Sequence, residues 1–473
     1  MDKNSLYAAI DNHASLLCSL SDQIWEYAEL SMEEFQSANA YLKLLYEHGF
    51  EVNENLAGLP TAFCGRFGSD KPIIGILGEF DALSGLGQDA CCSTKSNRSG
   101  AANGHGCGHN LLGAASLGAA IAIKEQIEAG KLKGTVVFYG CPGEEGCAGK
   151  TFMARDGMFR DLDAALCWHP GDVNEVTVGS TAACLQFEYT FTGIAAHAAG
   201  DPENGRSALD AAELMNIGVQ FLREHMDKRS SLHYAITDTG GSSPNVVQSI
   251  AKLVYMVRSD TVKNAKNLLA RVNKVAEGAA LMTETSVSIR QVDGTANTLS
   301  NQVLEKLLYD NLLEVPLPQY TAEELKYAKE LKATCPQSRL PGQLTETNPI
   351  LKGKIAQLTE NGKLPLNNFV LPYSPAYYYS PGSTDVGDVS WLTPTAQFTA
   401  VTWISGSPGH SWQNVSAGKS SIAHKGMLMA AKVLAGACSD LMKDPLLLSK
   451  ARREFDITAA EGYDCPIGKE VTP

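Results

Sequence analysis

The sequence predicts an α/β fold in which a mixed, mostly parallel sheet is flanked by helices and a smaller α+β unit is inserted. Short apolar runs alternate with helical segments from Pro72 to Trp168, which is the pattern of a largely parallel sheet. After about residue 182 the order changes to β-α-β-β-α-β, the ferredoxin-like arrangement. The chain is therefore expected to divide into residues 1–182, an inserted unit at 183–296, and a second part of the first domain at 297–473.

The first part, residues 1–182, begins with a helical region that extends to about residue 50. Residues 110–128 predict an Ala-rich helix that is apolar nearly all round and is therefore buried. Short apolar segments predict the strands, at 72–78, 134–140 and 164–168.

The inserted unit, residues 183–296, has a size that is usual for one domain. Its pattern predicts four strands, at 185–192, 233–238, 249–257 and 285–292. Two helices are expected between them, at 207–226 and 263–281.

The last part, residues 297–473, returns to the first domain with a helix at 302–315, a strand at 397–404 and a helix at 417–438. Residues 316–380 contain many Pro and Tyr residues, and we expect an irregular segment there. So long a segment in a compact domain is typical of an insertion with its own role. The tail from about residue 440 is weakly apolar.

Composition excludes some classes of partner. The chain has 473 residues, of which 44% are hydrophobic and 19% charged, and its formal net charge is -13. An acidic protein is a poor partner for nucleic acid or an anionic membrane, because both need a basic face. The N-terminus shows no secretory signal, and no apolar run reaches the ~18 residues of a membrane span. Twelve scattered cysteines without framework spacing favour a reduced, cytoplasmic setting.

Residues of metal-binding type occur in or beside turns rich in Gly or Pro, and most follow an apolar run. They are Cys107, His109, Glu144, Glu145, His169 and His410. Loops at strand ends are where α/β proteins usually carry their chemistry. This arrangement predicts a metal-dependent hydrolase rather than a binding module.

Cys107 and His109 form a Cys-x-His pair within Gly-His-Gly-Cys-Gly-His-Asn. The flanking glycines let the backbone turn a thiolate and an imidazole towards one ion. The alternative is a tight turn before a buried helix, with Cys107 packed in the core. His105 is close enough to this pair to contact a ligand rather than the metal.

Glu144 and Glu145 follow the apolar run Val-Val-Phe-Tyr. Adjacent residues at the end of a strand point to opposite sides, so one carboxylate can bind a metal while the other faces a water molecule on it. A metal lowers the pKa of that water, and a neighbouring carboxylate can remove its proton. A solvated acidic turn is the alternative. For His169 and His410 the alternative is a core histidine that donates to a backbone carbonyl.

Several longer motifs together resemble the M20 metallopeptidase family in its amidohydrolase branch. They begin at Trp25 (Trp-Glu-Tyr-Ala-Glu-Leu-Ser-Met-Glu-Glu), Glu79 (Glu-Phe-Asp-Ala-Leu), Gly106 (Gly-Cys-Gly-His-Asn), Pro142 (Pro-Gly-Glu-Glu-Gly), Gly193 (Gly-Ile-Ala-Ala-His-Ala-Ala) and Gly382 (Gly-Ser-Thr-Asp-Val-Gly-Asp-Val-Ser-Trp). The last motif is the most specific. The resemblance covers nearly the whole chain and implies a metallo-exopeptidase-type fold whose inserted unit is a lid or dimerisation domain.

The resemblance implies an enzyme that cleaves an amide bond with a divalent metal, Mn²⁺ or Zn²⁺, at two ions per subunit. The metal ligands it implies are Cys107, His109, Glu145, His169 and His410. Glu144 would be the general base that activates water and later protonates the leaving amine. Many relatives have His-x-Asp where this chain has Glu79-Phe-Asp81. We therefore expect Asp81 to contact a ligand rather than the metal, and a direct ligand role for Glu79 is not expected.

The inserted unit is implied to supply the remaining groups. His197 would stabilise the oxyanion, often across a dimer interface, and such a donor is worth about 3 kcal/mol. Asn245 and Arg258 match positions that hold the substrate's carboxylate, and Arg258 can do so through two parallel hydrogen bonds. A surface histidine and a surface ion pair are the alternatives for His197 and Arg258.

The resemblance implies an N-acyl or aroyl amino acid as the substrate, with p-aminobenzoyl-glutamate favoured. The Tyr-rich insertion could stack on an aryl group, although plain packing is the alternative. The resemblance also implies a partner, which is either a second copy of the chain or a related A-type subunit. Three alternatives remain open: a hydrolase of another N-acyl amino acid or dipeptide, a metal-binding subunit that is active only with a partner, and a thiol hydrolase with Cys107 as nucleophile.

Overall fold

A computed structural model describes residues 3–96, 102–336 and 340–472. The α-helices are α1 (Asn4–Asn12), α2 (Ala14–Tyr27), α3 (Phe35–Glu47), α4 (His109–Glu128), α5 (Gly149–Arg155), α6 (Ala208–Arg223), α7 (Val262–Met282), α8 (Gln302–Glu314), α9 (Ala322–Lys332), α10 (Pro349–Leu358), α11 (Val386–Ser390), α12 (Trp412–Ala417), α13 (Ser421–Lys443) and α14 (Pro445–Thr458). Among these helices, no stretch combines the length and the apolar character that crossing a bilayer requires.

The strands form a large sheet, a smaller sheet and two short ribbons. They are β1 (Glu51–Glu54), β2 (Phe63–Phe67), β3 (Ile73–Glu79), β4 (Leu83–Ser84), β5 (Asn103–Gly104), β6 (Thr135–Cys141), β7 (Ala164–Gly171), β8 (Val173–Val176), β9 (Ser180–Thr181), β10 (Ala183–Thr192), β11 (Ser231–Asp238), β12 (Ile250–Ser259), β13 (Ser286–Thr295), β14 (Asn367–Val370), β15 (Tyr379–Ser380) and β16 (Thr395–Val401).

The main sheet has eight strands in the order β1-β2-β6-β3-β7-β16-β8-β14. Its four central strands, β6, β3, β7 and β16, are parallel to one another. The strands β1 and β2 pair antiparallel at one edge, and β8 runs antiparallel to β16 near the other. The predicted mixed, mostly parallel sheet is confirmed.

Helices cover both faces of the main sheet because its strands alternate their apolar side chains. On β6, Val136 and Phe138 pack into a core formed with α1–α4, α8 and α13. Val137 and Tyr139 point to the opposite face, where α5 and α11 pack. The Ala-rich helix α4 is buried along most of its length, as its apolar sequence predicted. Small side chains on α4 let α13 and β3 approach it closely.

The second sheet has four antiparallel strands in the order β11-β12-β10-β13. Together with α6 and α7 they follow the predicted β-α-β-β-α-β order. Alternate side chains on β12, among them Tyr255 and Val257, pack against the two helices in a separate apolar core. The intervening residues, Met256 and Arg258, face the other way. This alternation decides which side chains of the second sheet face the main sheet.

The expectation of an irregular segment at 316–380 is wrong for the residues that the structure describes there. Helices α9 and α10 and strand β14 form within it. Thr321 and Glu324 make a reciprocal capping box at the start of α9. Pro349 stands in the first turn of α10, after the capping residue Asn348. These signals are local, and the Pro- and Tyr-rich composition of the segment obscured them.

The segment also extends the main sheet, because β14 pairs parallel to β8 at its edge. Leu351 and Ile355 of α10 pack with Val173 in a small apolar cluster. No helix was predicted in the tail, but α14 begins there at Pro445. Asp444 caps this helix by accepting from the backbone N–H groups of Leu446 and Leu447.

Candidate active site

The chain brings its candidate residues to one edge of the main sheet. Glu79 is the last residue of β3 and lies in register with Cys141, the last residue of β6. His169, on β7, lies in register with Thr399 of β16. Because these strands are parallel, their carboxyl ends and the loops that follow meet at the same edge.

The start of α4 completes this edge. Gly108 has a φ of 80°, and a side chain there would come within 2.9 Å of the Pro170 ring. Only glycine fits both restrictions, and the turn brings Cys107 and His109 beside β7. His105 is buried behind them and contacts the Ile24 carbonyl through Nε2 at 3.0 Å. Burial, aided by the nearby His109, lowers the pKa of His105 to about 4.

The cluster has three groups of possible ligands, each with its atoms within 4.8 Å of one another. They are Cys107, His109 and His169; Cys107, Glu145 and His410; and Glu79, His109 and Glu144. The Cys107 Sγ lies 3.3 Å from His169 Nε2. The cluster therefore joins all the metal-binding residue types that the sequence singled out.

His109 is fully buried and held from one side by Asp81. Its Nδ1 lies 2.8 Å from Asp81 Oδ1, so Nδ1 carries a proton and donates to Asp81, while Nε2 faces the other candidate ligands. The Asp81 Oδ2 accepts from the Ser31 hydroxyl and the Glu145 backbone N–H, both at 2.9 Å. Burial alone would raise the pKa of Asp81, but His109 and these two donors hold it at about 2. Asp81 thus lies against His109, one of the candidate ligands, and its role beside the metal stays a prediction.

His169 and His410 complete the cluster from two further loops. His169 Nδ1 donates to the Pro170 carbonyl at 2.7 Å, which leaves Nε2 towards Cys107. Burial, followed by the effect of His109, lowers the pKa of His169. His410 has a φ of 52°, an uncommon conformation for a residue other than Gly, and its Nε2 lies 3.3 Å from Glu145 Oε1. The neighbouring Glu145 carboxylate raises the pKa of His410.

Glu144 and Glu145 diverge as predicted, but in a turn rather than at the end of an extended strand. β6 ends at Cys141, and both glutamates lie in the turn before α5. The Glu145 carboxylate is near Cys107 and His410, whereas that of Glu144 is near Glu79 and His109. Burial, followed by the charge of Glu79, raises the pKa of Glu144 well above its usual value.

A buried ion network behind Glu144 was missed in the sequence. The Lys150 Nζ lies 2.6 Å from Glu79 Oε1 and 2.7 Å from Asp385 Oδ1, and its backbone N–H donates to Asp385 Oδ2. All three side chains are buried. Lysine is rarely buried, so the residue type alone does not point to a buried role for Lys150. The available signal was its place, shortly after Glu145, together with Asp385 in the most specific motif.

The residues at this edge fit a divalent cation. Glu79 Oε2, His109 Nε2 and Glu145 Oε1 are buried atoms without a hydrogen-bond partner among the described residues. Buried polar atoms usually have a hydrogen-bond partner, so three unpaired atoms in one cluster indicate a site for a bound group. The donor set of thiolate, imidazole and carboxylate suits a transition metal or zinc.

A cavity of about 290 Å³ lies between the two sheets. From the main-sheet side Glu144, Glu145 and His410 line it, and from the second sheet Arg258 lines it. The guanidinium Nη1 of Arg258 donates to the Ser383 Oγ at 2.6 Å. Further lining residues of the second sheet are Cys184, Gln186, Met256, Asp293, Gly294 and Thr295.

His197 and Asn245 lie beside each other but are not among the described residues that line this cavity. His197 bridges Val246, and the Ala198 N–H donates to the Asn245 carbonyl at 2.9 Å. Both residues are exposed. His197 Nδ1 accepts from the backbone N–H groups of Ala199 and Gly200. Their expected roles therefore stay predictions.

Three tyrosines of the insertion make hydrogen bonds away from this cavity. Tyr373 donates to Glu305, and Tyr379 donates to the Arg229 carbonyl at 2.7 Å. Arg229 in turn donates to the Tyr377 hydroxyl. None of these tyrosines is among the described residues that line the cavity.

The short helix α11 connects the two sides of the cavity. Asp388 accepts from Thr151 of α5 and from the Ala296 backbone N–H, where the chain leaves the second sheet. Gly387 packs so closely there that a side chain would lie 2.0 Å from the Ala296 carbonyl oxygen. The Trp391 indole also donates to the Asn297 carbonyl. The motif thus fixes the exit of the second sheet beside the helix that follows Glu145.

Comparisons with known proteins agree with this architecture. A family model described as peptidase family M20/M25/M40 matches residues 75–340, more than half of the chain. The B-type subunit of the p-aminobenzoyl-glutamate hydrolase of Escherichia coli (strain K12) is 44% identical over 468 residues, covering 98% of this chain and 97% of that protein. The A-type subunit of the same hydrolase, from the same strain, is 28% identical over 348 residues, covering 63% and 79%.

A solved Bacillus subtilis structure, described as a dinuclear metal binding peptidase from the M20 family, shares the fold. Its TM-score is 0.56 at 17% identity, and the match covers 92% of this chain and 99% of that one. The family model and the full-length relative carry the assignment. The chain therefore belongs to peptidase family M20/M25/M40 and is a hydrolase of that family.

Proposed function

We propose that this protein hydrolyses the amide bond of p-aminobenzoyl-glutamate, releasing p-aminobenzoate and glutamate. The observation that carries the proposal is the cavity between the two sheets, with hydrolytic groups on one wall and Arg258 on the other. A substrate with a carboxylate next to an amide bond needs hydrolytic groups at the amide and a cationic side chain at the carboxylate. The full-length relative with 44% identity, named as a hydrolase of this compound, supports the substrate.

The size of the cavity supports a small substrate. Its volume of about 290 Å³ lies just below the usual range for small-molecule sites, which is about 300–1,000 Å³. Such a cavity suits an acyl amino acid or a dipeptide better than a longer peptide. Arg258, held by Ser383, would bind the carboxylate of the glutamate product through two parallel hydrogen bonds.

Cys107, His109, Glu145, His169 and His410 would hold the metal ions. We propose two divalent ions per subunit, Mn²⁺ or Zn²⁺; Cys107 and His109 each belong to two of the three ligand groups, which supports two adjacent positions. A divalent cation in such a site polarises an amide carbonyl and makes water more acidic.

Glu144 would move the proton during the reaction. Its carboxylate accepts a proton from the attacking water while the water oxygen bonds to the amide carbon. As the carbon–nitrogen bond breaks, Glu144 donates the same proton to the departing amine nitrogen. Asp81 keeps His109 in one tautomer, with Nε2 free of a proton.

The oxyanion donor would come from a second subunit. His197 is exposed and lies beside Asn245 on the second sheet, away from the lining of its own cavity. Apolar side chains are exposed on the same unit, including Tyr234 and Ile236 of the edge strand β11. Such a surface supports the proposal that the inserted unit is a lid and dimerisation domain.

The second candidate is a protein that binds metal but needs an A-type partner for turnover. The name of the 44%-identical relative, which describes a B-type subunit, favours it, since a related A-type subunit occurs in the same strain. The active assembly is then a heterodimer rather than a homodimer. We also propose a cytoplasmic location, because all twelve cysteines are unpaired, as in a reducing compartment.

The test is an assay of the purified protein after chelation and restoration with Mn²⁺ or Zn²⁺. Substrates are p-aminobenzoyl-glutamate, other aroyl and N-acyl amino acids, and dipeptides, each with and without an A-type partner. We expect metal-dependent release of p-aminobenzoate. Turnover only with the partner supports the second candidate, and a preference for another acyl group overturns the proposed substrate. Activity that survives full metal removal points to Cys107 as a nucleophile and rejects the metal mechanism.

A further inference from the structure

Two unpaired buried atoms face each other beside the candidate metal ligands. Glu79 Oε2 and His109 Nε2 lie 3.3 Å apart, and both side chains are buried. Neither atom has a hydrogen-bond partner among the described residues, so they are not aligned for a bond with each other. Leaving a buried polar atom unpaired costs about 1–3 kcal/mol, and this site would carry that cost twice.

The hydrogen bond between His109 and Asp81 determines which atom of the ring faces Glu79. Its Nδ1 donates to Asp81, so Nε2 presents a lone pair unless the ring takes up a second proton. Glu79 Oε2 also presents lone pairs. Two lone pairs at this distance repel each other unless a cation lies between them.

The distance fits a shared metal ion better than a shared proton. Metal bonds of about 2.0–2.2 Å to an imidazole nitrogen and a carboxylate oxygen place two ligands of a tetrahedral ion about 3.3–3.5 Å apart. A charge-assisted N–H···O bond is shorter, at about 2.7–2.9 Å, and nearly linear. The ligand pairs Cys107–His169 and His410–Glu145 also lie at 3.3 Å.

Lys150 explains why Glu79 Oε2 points at His109. The other oxygen, Oε1, accepts from the Lys150 ammonium at 2.6 Å, and Asp385 fixes that ammonium from the far side. Glu79 is also the last residue of β3, so its backbone is fixed by the central strands. One carboxylate oxygen is thus occupied and the other is left free.

We propose that Glu79 is an additional metal ligand, which binds through Oε2 the ion held by His109, and that Lys150 is the positioning residue that aims it. The proposal rests on the proposed metal site and departs from the five-ligand set expected from the sequence. With Glu79 as a ligand, the two ion positions differ in their ligand atoms. The position at Cys107 and His169 contains a thiolate, whereas the position at His109 is rich in carboxylate oxygen, which favours Mn²⁺.

The experiment measures bound metal rather than activity. Glu79→Gln, Asp385→Asn and the parent protein are stripped of metal, titrated with Mn²⁺ or Zn²⁺, and examined by elemental analysis and by the Mn²⁺ electron paramagnetic resonance signal. Loss of an outer contact to a ligand costs about 10–100-fold in metal affinity, so we expect Glu79→Gln to lose about 100-fold or more at one of two positions. Asp385→Asn removes the second anchor of Lys150, so it should weaken binding at the same position, but by less than Glu79→Gln. Parent-like affinity and stoichiometry in folded Glu79→Gln overturns the proposal.

A second comparison covers the case in which Glu79→Gln does not fold because Lys150 loses an anionic partner. Lys150→Met keeps the Glu79 carboxylate, and Glu79→Gln/Lys150→Met removes both charges. We expect Lys150→Met to bind more Mn²⁺ than the double variant, and equal binding overturns the proposal. If the parent itself binds no divalent cation, the proposed function fails with it. If the parent binds two ions and every Glu79 variant does too, this inference alone fails.

Discussion

Behind the main-sheet wall of the cavity the ionisable side chains Glu79, Asp81, Cys107 and His109 are buried. On the second sheet, Arg258 and Asp293 are half-buried and His197 is exposed. His109 is held by Asp81, and His169 by the Pro170 carbonyl. On the second sheet, Arg258 has one polar anchor in Ser383, and His197 is held by the backbone of its own loop.

This difference separates two tasks. The wall that binds an ion must be organised before the ion arrives, because metal bonds tolerate little error in ligand position. The wall that recognises the substrate can be completed later, by movement of the second sheet or by a second subunit. The predictions below test whether the two walls divide the work in this way.

The largest effect is expected from His169→Ala. It removes an imidazole from the main-sheet wall, and we expect metal content to fall and turnover to drop to the level of the metal-free protein. Elemental analysis beside the assay checks this. The control is His233→Ala, which changes an exposed histidine of β11 and should leave metal content unchanged. Full metal content in His169→Ala would remove this residue from the ligand set.

Glu144→Ala should separate chemistry from metal binding on the same wall. Because general acid–base catalysis contributes about 10²–10⁴-fold, we expect turnover to fall by that factor while the metal content stays at the parental value. Parallel measurement of turnover and metal content gives the answer. Near-normal turnover would show that another group takes the proton.

His197→Ala tests whether the second-sheet wall is completed in trans. Loss of one oxyanion donor should slow turnover about 10²–10³-fold with little change in KM. Mixing His197→Ala with Glu144→Ala should then restore activity, because one site of the mixed dimer receives both groups. If the mixture stays inactive although the two chains exchange, His197 does not act across a dimer interface.

Arg258→Ala should act mainly on substrate binding. A hydrogen bond to a charged group is worth about 1.5–3 kcal/mol, so we expect KM to rise about 10–150-fold. Ser383→Ala removes the neighbour of Arg258 and should raise KM only about fivefold, the value of one ordinary hydrogen bond. A fall in turnover at unchanged KM would place Arg258 in the chemical step instead.

The smallest effect concerns α11, which joins the two walls. Burial raises the pKa of Asp388 to about 7, despite hydrogen bonds from Ala296, Tyr463 and Thr151. A carboxyl whose pKa is raised by folding stabilises the protein at low pH and loses that contribution as the pH rises through about 7. Asp388→Asn stays neutral, so its melting temperature relative to the parent should rise between about pH 5 and about pH 8. A constant difference would show that Asp388 is charged at both pH values.

The strands and loops that form the main-sheet wall could largely be predicted from the sequence. Apolar runs before the Glu144–Glu145 pair and before His169 marked buried strands, and parallel strands bring the following loops together. The β-α-β-β-α-β order of the second sheet was also clear, because its strands alternate and its helices are amphipathic. These features depend on local periodicity, which a single sequence carries.

Long-range pairing was not readable. The partners of Lys150 are Glu79 and Asp385, which lie far away along the chain, and nothing local distinguishes a buried lysine from a surface one. Strand β14 was missed because only its pairing with β8 makes it a strand. The position of His197 relative to a working site depends on assembly, and the sequence of one chain does not contain that information.

The contact between Gly387 and Ala296 has a consequence for attempts to change the substrate range. Any β-carbon at position 387 would collide with the backbone where the second sheet ends, so libraries that randomise this position will mostly yield non-functional clones. Gln186, Met256 and Thr384 also surround the cavity, and their side chains carry no such restraint on the backbone. Directed evolution towards new acyl groups should therefore accumulate its useful substitutions at these three positions.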